Sequence, residues 1–595
     1  MNAKLPFKTS FLAELQRRHV YKVGAMYCVA GWLLVQVATQ VFPFFDVSNA
    51  AVRWVVIGVI AGLVPALVLA WLFDITPQGI VRTSDLPATA AELPVMVQQR
   101  RGMDRKLNYL LGGLLILALA YLVLDHTVLR RLATSAPEEK SIAVLPLANT
   151  GGDPANEYFS DGLTEELIAI LARIPDLKLI GRSSSFHFKN SSEDSKSIGE
   201  KLGVSSLLEG SVRRQGDHVR IVAELVNAAD GRELWSDSYD REVKDVLAVQ
   251  AEIAQAVAEQ LKLKLLGTPA TQADLPDPAA HNALLQGDFL FQKLSEDGVR
   301  RSIDAYREAV RLSPRYALAY ARLSIALRQL AATWLSGADA EQANAESHQT
   351  AQTALSLDPD LPRAHEALGW VLLTGDFDAA AAEAEFRRGV ALAPGDAGLV
   401  QGLSYLLAVR GDLAQAEVLA RKSLAADPLS LIAYLHLSRI LIATGHYDEA
   451  AKLLEHADEL QPQAARVHAY LTTIDILRRD AAAALQHARQ EPAGFWHDYA
   501  VALAMQAQGD AAAADQALQQ FISEQGAAGP FQVAAIYGLR QDPDRMFDWL
   551  DRAYRERDPG LTQLMVTPML LAYRADPRFA ALCARLKITP PGQAG

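Results

Sequence analysis

The sequence predicts a multidomain protein in which N-terminal transmembrane helices precede an α/β domain with a mixed sheet and a C-terminal, all-helical repeat solenoid. Three observations support this fold class: three long apolar runs before residue 130, β-like runs alternating with helical stretches over residues 141–266, and prolines recurring about every 34 residues in the C-terminal half. A chain of 595 residues is also too long for one hydrophobic core, because domains cluster near about 100–200 residues. We therefore expect several separate cores.

Three long apolar runs predict transmembrane helices at residues 20–42, 54–73 and 108–128. About 20 apolar residues in a helix cross the hydrocarbon layer of a bilayer, which is about 30 Å thick. A cleaved signal peptide is the alternative for the first run, but that run is too long and has no small-residue cleavage site at its end. The sequence therefore predicts three spans.

Lysine and arginine residues predict the orientation of these helices, because they favour the cytoplasmic side of short loops. They cluster in residues 1–22 and 74–107, whereas only Arg53 lies between the first two spans. We therefore expect a bacterial inner-membrane protein with an amphipathic, cytoplasmic N-terminus at 1–19 and a cytoplasmic loop at 74–107. After a linker at 130–140, the rest of the chain is expected in the periplasm.

A small-residue motif, Gly58-x-x-x-Gly62, lies in the second predicted span. Such motifs let helix backbones approach closely, which would favour a homo-oligomer in the membrane. The alternative is that the motif packs the protein's own helices against one another.

Residues 141–266 are expected to form the α/β domain. The predicted strands are Ser141–Leu147, Leu177–Gly181, Val204–Arg214, His218–Asn227 and Glu233–Tyr239, and the predicted helices are Asp161–Arg173, Ser197–Leu202 and Val243–Leu266. The short turns around Gly216 and Gly231 are typical of connections between antiparallel neighbours.

Two blocks of this region carry a resemblance to a known family. They read SIAVLPLANTGGDPANEYFSDGLTEELIAILARIPDLKLIGRSSSFHFK and IGEKLGVSSLLEGSVRRQGDHVRIVAELVNAADGRELWSDSYDRE. In this order they resemble the bacterial TolB-like N-terminal domain, which commonly precedes tetratricopeptide repeats. The resemblance implies a periplasmic interaction domain and no particular reaction.

Polar residues of this domain suggest candidate sites as well as simpler roles. The loop Arg182–Ser185, followed by His187, could bind an anion, although a single histidine without a partner is more often structural. Asp161 and Glu165 lie near a predicted helix start, where negative charge complements the helix dipole. If the domain were an enzyme, Asp161, Glu165 and His187 would be its best candidates.

Prolines at five positions predict a tetratricopeptide-repeat (TPR) solenoid over residues 279–595, with degenerate repeats at its C-terminal end. These prolines are Pro314, Pro359, Pro394, Pro428 and Pro462, with separations of 45, 35, 34 and 34 residues. A period of 34 residues is that of the tetratricopeptide repeat, in which each unit is a helical hairpin. We expect six or seven hairpins, with an insertion near residues 334–346.

A solenoid of this kind forms a concave surface from the first helix of each hairpin, suited to a peptide or a partner helix. The candidate partner-binding residues on this surface are Arg328, Trp370, Gln401, Tyr405 and Arg439. Ordinary surface or packing between repeats is the alternative role for each of them, since few interface residues carry most of the binding energy.

The sequence argues against several other functions. The formal net charge is −12, with the acidic excess after residue 140, which disfavours nucleic acid as a partner. Two cysteines allow neither a disulfide framework nor a cysteine-built metal site, and no catalytic or cofactor-binding motif is present. Proteins that share these domains can carry a nucleotide cyclase or a DNA-binding domain ahead of the membrane helix, but only about 19 residues precede the first predicted span.

The main functional hypothesis is therefore a non-catalytic, inner-membrane-anchored periplasmic scaffold that binds protein partners without a cofactor or metal. The first alternative is a signalling subunit that transmits a periplasmic state through the membrane helices. The second alternative is an enzyme with an unrecognised site.

Overall fold

The computed structural model describes residues 27, 30–32, 59, 62, 73–76, 79–82, 140–263, 276–335 and 337–589. The chain divides into two compact units, residues 1–136 and 137–595.

The described residues of the N-terminal unit include helical positions and one hairpin. Tyr27 and Val59 are helical, and the Tyr27 hydroxyl donates a hydrogen bond to the Val59 carbonyl at 2.9 Å. Gly62 lies against the Tyr27 side chain of the same chain, as expected if the glycine motif packs the protein's own helices. Gly58, the other half of the predicted oligomer motif, lies outside the described residues. Strands β1 (Phe73–Thr76) and β2 (Gly79–Arg82) pair antiparallel.

The predicted fold class is wrong in its first part. Within the described ranges, no helix is both long enough and apolar enough to cross a membrane. The longest of these helices, Gly337–Leu357, has 21 residues but carries Asp339, Glu341 and Glu346 among many other polar residues. The predicted spans at residues 20–42, 54–73 and 108–128 lie almost entirely outside the described residues, and Phe73, at the end of the second, begins β1. The periplasmic location of the residues after about 130 stays a prediction.

The predicted mixed sheet is present in the middle of the chain. Its strands are β3 (Ser141–Val144), β4 (Ala148–Asn149), β5 (Lys178–Leu179), β6 (Ser206–Gln215), β7 (His218–Asn227) and β8 (Glu233–Glu242). Their order is β5-β3-β6-β7-β8, with β4 beside β6. Strand β3 runs parallel to β5 and β6, whereas β6, β7 and β8 are antiparallel. The predicted first strand is interrupted before β4 at Pro146, which has no N–H to donate.

Helices cover the two faces of this sheet unequally. The helices are α1 (Glu157–Leu171), α2 (Arg182–His187), α3 (Ser195–Leu202) and α4 (Val246–Gln260). On one face, α1 and α4 pack on the central strands in a core that includes Ile142, Val212 and Ile221. On the other face, Ile198 and Leu202 of α3 belong to a smaller core with Ala143 of β3, Leu207 of β6 and Val226 of β7. The remainder of that second face, over β6, β7 and β8, has half-buried or exposed side chains.

Helical hairpins make up the rest of the described chain. The helices are α5 (Pro278–Phe291), α6 (Glu296–Leu312), α7 (Ala317–Thr333), α8 (Gly337–Leu357), α9 (Pro362–Thr374), α10 (Ala379–Leu392), α11 (Ala397–Val409), α12 (Leu413–Ala426), α13 (Leu431–Ala443), α14 (Tyr447–Leu460), α15 (Val467–Leu477), α16 (Ala481–Gln490), α17 (Phe495–Met505), α18 (Ala511–Gln525), α19 (Pro530–Leu539), α20 (Pro543–Arg555), α21 (Pro568–Leu571) and α22 (Pro577–Arg585). Consecutive pairs from α5/α6 to α19/α20 form eight hairpins in the described residues, against the six or seven predicted. The additional length between Pro314 and Pro359 lies in the 21-residue helix α8.

Small residues allow close packing between the helices of neighbouring hairpins. A Cβ atom on Gly402 would lie 2.5 Å from the Phe386 ring, and one on Gly369 would lie 3.0 Å from the same ring. Phe386 is fully buried, so both glycines are needed for helices α9 and α11 to approach α10.

Candidate functional site

Four of the five predicted partner-binding residues form one continuous row on the first helices of four consecutive hairpins. The Arg328 guanidinium lies 5.5 Å from the Trp370 ring centre, and the Trp370 ring lies 5.4 Å from that of Tyr405. The Arg439 guanidinium lies 4.8 Å from the Tyr405 ring centre. We call these four residues the inner-face row. In this row two neighbouring aromatic rings lie between two cations, an arrangement that is favourable at these distances.

Neighbouring side chains hold the row in place. The Trp370 ring meets the buried Phe386 edge-on at 5.3 Å, and Tyr405 stacks on His436 at 5.6 Å. His436 Nε2 lies 2.8 Å from the Ser404 hydroxyl. Burial, together with the nearby Arg439, holds the pKa of His436 well below its ordinary value, so this ring is neutral. Tyr405 is therefore backed by a neutral stacking partner.

Gln401, the fifth predicted residue, lies on α11 one turn before Tyr405 and is half-buried. Side chains four residues apart share one face of a helix. The structure therefore places Gln401 on the same side of α11 as Tyr405.

Arg328 differs from the other arginines of the inner helices in its hydrogen bonding. Among the residues that the structure describes, Arg322 and Arg363 form ion pairs, and Arg439 Nη2 lies 3.3 Å from His436 Nδ1. The Nε atoms of Arg322, Arg328 and Arg439 all lack a hydrogen-bond partner, but the half-buried Arg328 forms no ion pair or other hydrogen bond within the described residues. Burial lowers the pKa of Arg328, and Glu366 offsets this only in part. The Glu366 carboxylate is instead bound by Arg363.

A segment near the C-terminus covers the middle of the concave surface. Residues 559–566 form a 3₁₀ segment, which we call the covering segment, and it packs against α9, α11 and α13. The Tyr405 hydroxyl lies 2.8 Å from the Thr562 hydroxyl, and Arg557 donates to the Gly375 carbonyl at 2.5 Å. The cavity that remains beneath the segment, beside Leu373 and Leu561, is only about 10 Å³. The concave surface is thus filled at Tyr405, and sequence reasoning missed this contact.

A polar cavity of about 170 Å³ lies between α1, α2 and α5. Its charged lining residues are Asp161, Glu165, Arg182, Asp288 and Lys293. Arg182 Nε donates to Glu165 Oε1 at 2.5 Å, and Lys189 Nζ donates to Asp161 Oδ1 at 2.6 Å. His187 is exposed at the end of α2, so the structure does not bring it together with Asp161 and Glu165.

Charged residues of the first repeats complete this network. Arg322 lies 3.2 Å from Asp288 Oδ1 and 3.7 Å from Glu165 Oε2. The buried Tyr306 hydroxyl donates to Asp288 at 2.7 Å. Burial raises the pKa of Asp288 to about 6, although Arg322 opposes the rise. The cavity therefore lies within an ion-pair network that joins the α/β domain to the first hairpins.

A second titratable pair lies beside this network. Glu166 accepts a hydrogen bond from Gln250, and its Oε2 lies 3.5 Å from His281 Nε2. Burial raises the pKa of Glu166 to about 7 and lowers that of His281 to about 4. Near neutral pH His281 is therefore neutral, while Glu166 changes its protonation state in this range.

The loop predicted as a possible anion site is occupied in the structure by a carboxyl group of the repeats, Asp427. The Ser184 N–H and hydroxyl both donate to Asp427 Oδ1, at 2.8 and 2.5 Å. Gly181 N–H donates to the Ala426 carbonyl at 2.7 Å, and a Cβ atom on Gly181 would lie 2.7 Å from the Asp427 carboxyl carbon. Asp427 lies 243 residues from Ser184, so no local sequence pattern indicates the pair.

Two further loops between repeats contact the α/β domain. Gly395 N–H donates to the Ala172 carbonyl at 3.0 Å, and Arg173 donates to the Asp360 carbonyl at 3.4 Å. With Asp427, these contacts place the α/β domain along three consecutive inter-repeat loops. Nowhere in the described ranges do three or more His, Cys, Asp or Glu residues form a metal-binding group.

Comparison with known proteins identifies the helical region. A family model for the tetratricopeptide repeat matches residues 407–474. The chain is 35% identical over 243 residues to a protein of Rhizobium meliloti (strain 1021) named "Putative adenylate cyclase 3", and the aligned part spans only 40% of each chain.

Two solved structures show the level of structural likeness. A monomeric mutant of IFIT1 with Gppp-AAAA is 13% identical, with a TM-score of 0.37, and covers 52% of this chain and 77% of its own. YrrB, described as a TPR protein with an unusual peptide-binding site, is 16% identical, with a TM-score of 0.26, and covers 36% of this chain and 99% of its own. Both TM-scores are below 0.5. The family match places tetratricopeptide repeats at residues 407–474, within the run of helical hairpins whose prolines are spaced about 34 residues apart.

Proposed function

We propose that this protein is a binding scaffold that holds a protein or peptide partner on the inner face of its repeats, at the end of the row formed by Arg328 and Trp370. The observation that carries the proposal is the Arg328 guanidinium, which is partly buried without a hydrogen-bond partner in the described structure. A buried charge without a partner is costly, and an anionic group of a ligand would relieve that cost.

The surroundings of Arg328 suit such a contact. Trp370 provides an aromatic surface beside the cation, and arginine and tryptophan are enriched among residues that dominate binding energies. The covering segment contacts the row at Tyr405, on the other side of Trp370 from Arg328. The partner is therefore expected to place a carboxylate, from a side chain or a chain terminus, over Arg328.

Selection of a random peptide display library on the purified protein tests this proposal. We expect the selected peptides to share an acidic residue or a free C-terminal carboxylate, and to lose binding to the Arg328→Met and Trp370→Ala variants. The matched control is Arg311→Met, which removes an exposed arginine paired with Glu308 on α6. Peptides that bind all variants equally, or no enrichment of acidic groups, would contradict the proposal.

Catalysis is not part of this proposal, although a relative of partial length is named an adenylate cyclase. We expect the purified chain, given ATP with magnesium or manganese, to form no cyclic AMP above a heat-denatured control. Cyclic AMP formation by the native protein would replace the scaffold proposal with an enzymatic one.

A second role, transmission of the state of the repeats to the α/β domain, is favoured by the bonds between Ser184 and Asp427. If peptide binding alters hydrogen exchange at residues 181–189, the two regions are coupled. Unchanged hydrogen exchange at residues 181–189 with saturating peptide would contradict this second role and would leave only the scaffold role.

A further inference from the structure

The uncovered face of strands β6, β7 and β8 carries an unusual arrangement of charge. On this face, Glu209 lies directly opposite Glu224, and Arg213 lies directly opposite Arg220. Both are like-charged pairs on adjacent strands, and like charges placed directly opposite destabilise a sheet. Exposure to water explains why the side chains on an open antiparallel face are polar. It does not explain why each charged residue lies opposite one of the same sign.

The four charges are not neutralised by ion pairs within the described part of the chain. Arg213 and Arg220 are exposed and form none, and Glu209 and Glu224 are half-buried and also form none. Burial, and then repulsion by Glu224, raises the pKa of Glu209, while Ser195 opposes the rise by hydrogen bonding. The acidic pair therefore lacks the cation that would stabilise it.

The neighbouring strand adds few charges to this face. Ser236 and Ser238 of β8 lie beside Glu224 and Val222, and the exposed Asp240 lies beside Arg220. Of these three, only Asp240 is charged, and the other acidic residues of β8 on this face, Glu233 and Glu242, lie at the strand ends opposite Val226 and His218. The two serines are small and leave room for another surface to approach.

The two pairs are arranged symmetrically about a central pair. Ser211 and Val222 lie opposite each other, two residues from the acidic pair on one side and two residues from the basic pair on the other. Side chains two residues apart share a face, so the acidic and basic pairs are about 13 Å apart on the same face, at about 3.3 Å per residue.

We propose that this face binds a second copy of the chain. The two copies would be related by a two-fold axis that lies between their sheets, runs at right angles to the strands and passes over Ser211 and Val222. This axis would place the acidic pair of each copy over the basic pair of its partner. The same patch then serves both subunits, as in an isologous interface. Four opposite-charge contacts between the copies would then offset the four like-charged pairs that remain within them, and Val222 of each copy would be covered at the centre.

Charge reversal of the purified full-length chain tests this interface. The acidic variant carries Arg213→Glu and Arg220→Glu, and the basic variant carries Glu209→Arg and Glu224→Arg. We expect the wild type to sediment as a dimer that weakens with added salt, because exposed charges are screened. Each variant alone is expected to be monomeric, and an equal mixture of the two is expected to form a heterodimer.

Matched controls keep the result interpretable. The variant Arg300→Glu with Arg301→Glu makes the same charge change on α6, and it is expected to remain dimeric. Circular dichroism establishes that each variant is folded, and Arg213→Glu alone, at an exposed site, provides a milder change. A wild type that stays monomeric, charge-reversed variants that stay dimeric, or folded variants that fail to associate on mixing would each overturn the proposal.

Discussion

The hydroxyl of Tyr405 donates a hydrogen bond to the hydroxyl of Thr562, 2.8 Å away and 157 residues later in the chain. The direction follows from the Thr562 hydroxyl, whose one proton is donated to the Pro559 carbonyl at 2.7 Å. A residue expected to bind a partner is therefore bound by the chain's own covering segment. Partner binding at Tyr405 would require this segment to move.

Removal of the Tyr405 hydroxyl should loosen the covering segment. We expect Tyr405→Phe to lower the free energy of unfolding by about 0.5–1.5 kcal/mol, because one partly buried hydrogen bond is lost. Amide hydrogen exchange over residues 559–566 should rise more than exchange over α13. Equal exchange in both proteins would mean that the hydrogen bond does not hold the segment.

Arg328 and Arg363 are expected to respond oppositely to the same substitution. Arg328→Met should leave the free energy of unfolding unchanged or raise it, because an apolar side chain replaces a partly buried charge without a partner. Arg363→Met should lower the free energy of unfolding, because Glu366 and Asp396 lose the cation that pairs with them. We expect a loss of about 3 kcal/mol, near the lower end of the range for breaking a buried ion pair, because Arg363 is partly exposed.

Urea unfolding of both variants measures the difference. A loss of stability in Arg328→Met comparable with that in Arg363→Met would show that Arg328 has a structural partner. That result would remove the observation on which the proposed binding site rests.

Gly181 should be intolerant of even one added carbon atom. A Cβ atom would lie 2.7 Å from the Asp427 carboxyl carbon, so we expect Gly181→Ala to lower the free energy of unfolding by about 1–3 kcal/mol. Gly151→Ala is the matched control in the same domain, because its nearest atom would lie 3.4 Å away. Thermal unfolding of the two variants compares them, and equal melting temperatures would contradict the close contact.

Glu166 should make the protein less stable as the pH rises towards neutrality. Burial raises the folded-state pKa of Glu166 to about 7, so between the unfolded value of about 4.3 and pH 7 the folded state binds more protons, and its stability falls with rising pH. His281, with its folded pKa lowered to about 4, has the opposite effect between pH 4 and about 6.5. The Glu166 effect is therefore isolated by substitution.

We expect the stability of Glu166→Gln relative to the wild type to rise between pH 5 and pH 8, because only the wild type loses the Glu166 proton from its folded state over this range. Unfolding in urea at both pH values measures this. Glu455→Gln, at an exposed position on α14, is the control and should show the same stability difference from wild type at both values. A Glu166→Gln variant that follows the wild type at both pH values would contradict the raised pKa.

The sequence predicted features that depend on local spacing and missed those that depend on distant contacts. Pro394, Pro428 and Pro462 predicted the hairpins, because each repeat carries a proline at the same position of its 34-residue period. Trp370 and Tyr405 were predicted on the inner face for the same reason, and the structure places them 5.4 Å apart.

Contacts between distant segments could not be predicted in this way. The apolar residues after Pro559 were a signal that this segment would be buried, but nothing in them indicated Tyr405 as the partner. Nothing in the sequence around Asp427 distinguishes it from other loop aspartates, so its hydrogen bonds with Ser184 could not be predicted. The predicted membrane spans depended on apolar length alone, and none of the helices in the described ranges meets that criterion.

The contacts of the α/β domain with Asp360, Gly395 and Asp427 limit how far neighbouring repeats can rotate against one another. A solenoid ordinarily changes its curvature through small rotations between neighbouring repeats. Here three consecutive inter-repeat loops are bonded to one rigid sheet domain, at Arg173, Ala172 and Ser184. The pitch of the superhelix is therefore fixed from α9 to α13. The C-terminal part of the chain is bonded back to the same hairpins through the Arg557–Gly375 and Tyr405–Thr562 contacts, so the curvature of this stretch is restrained from both sides.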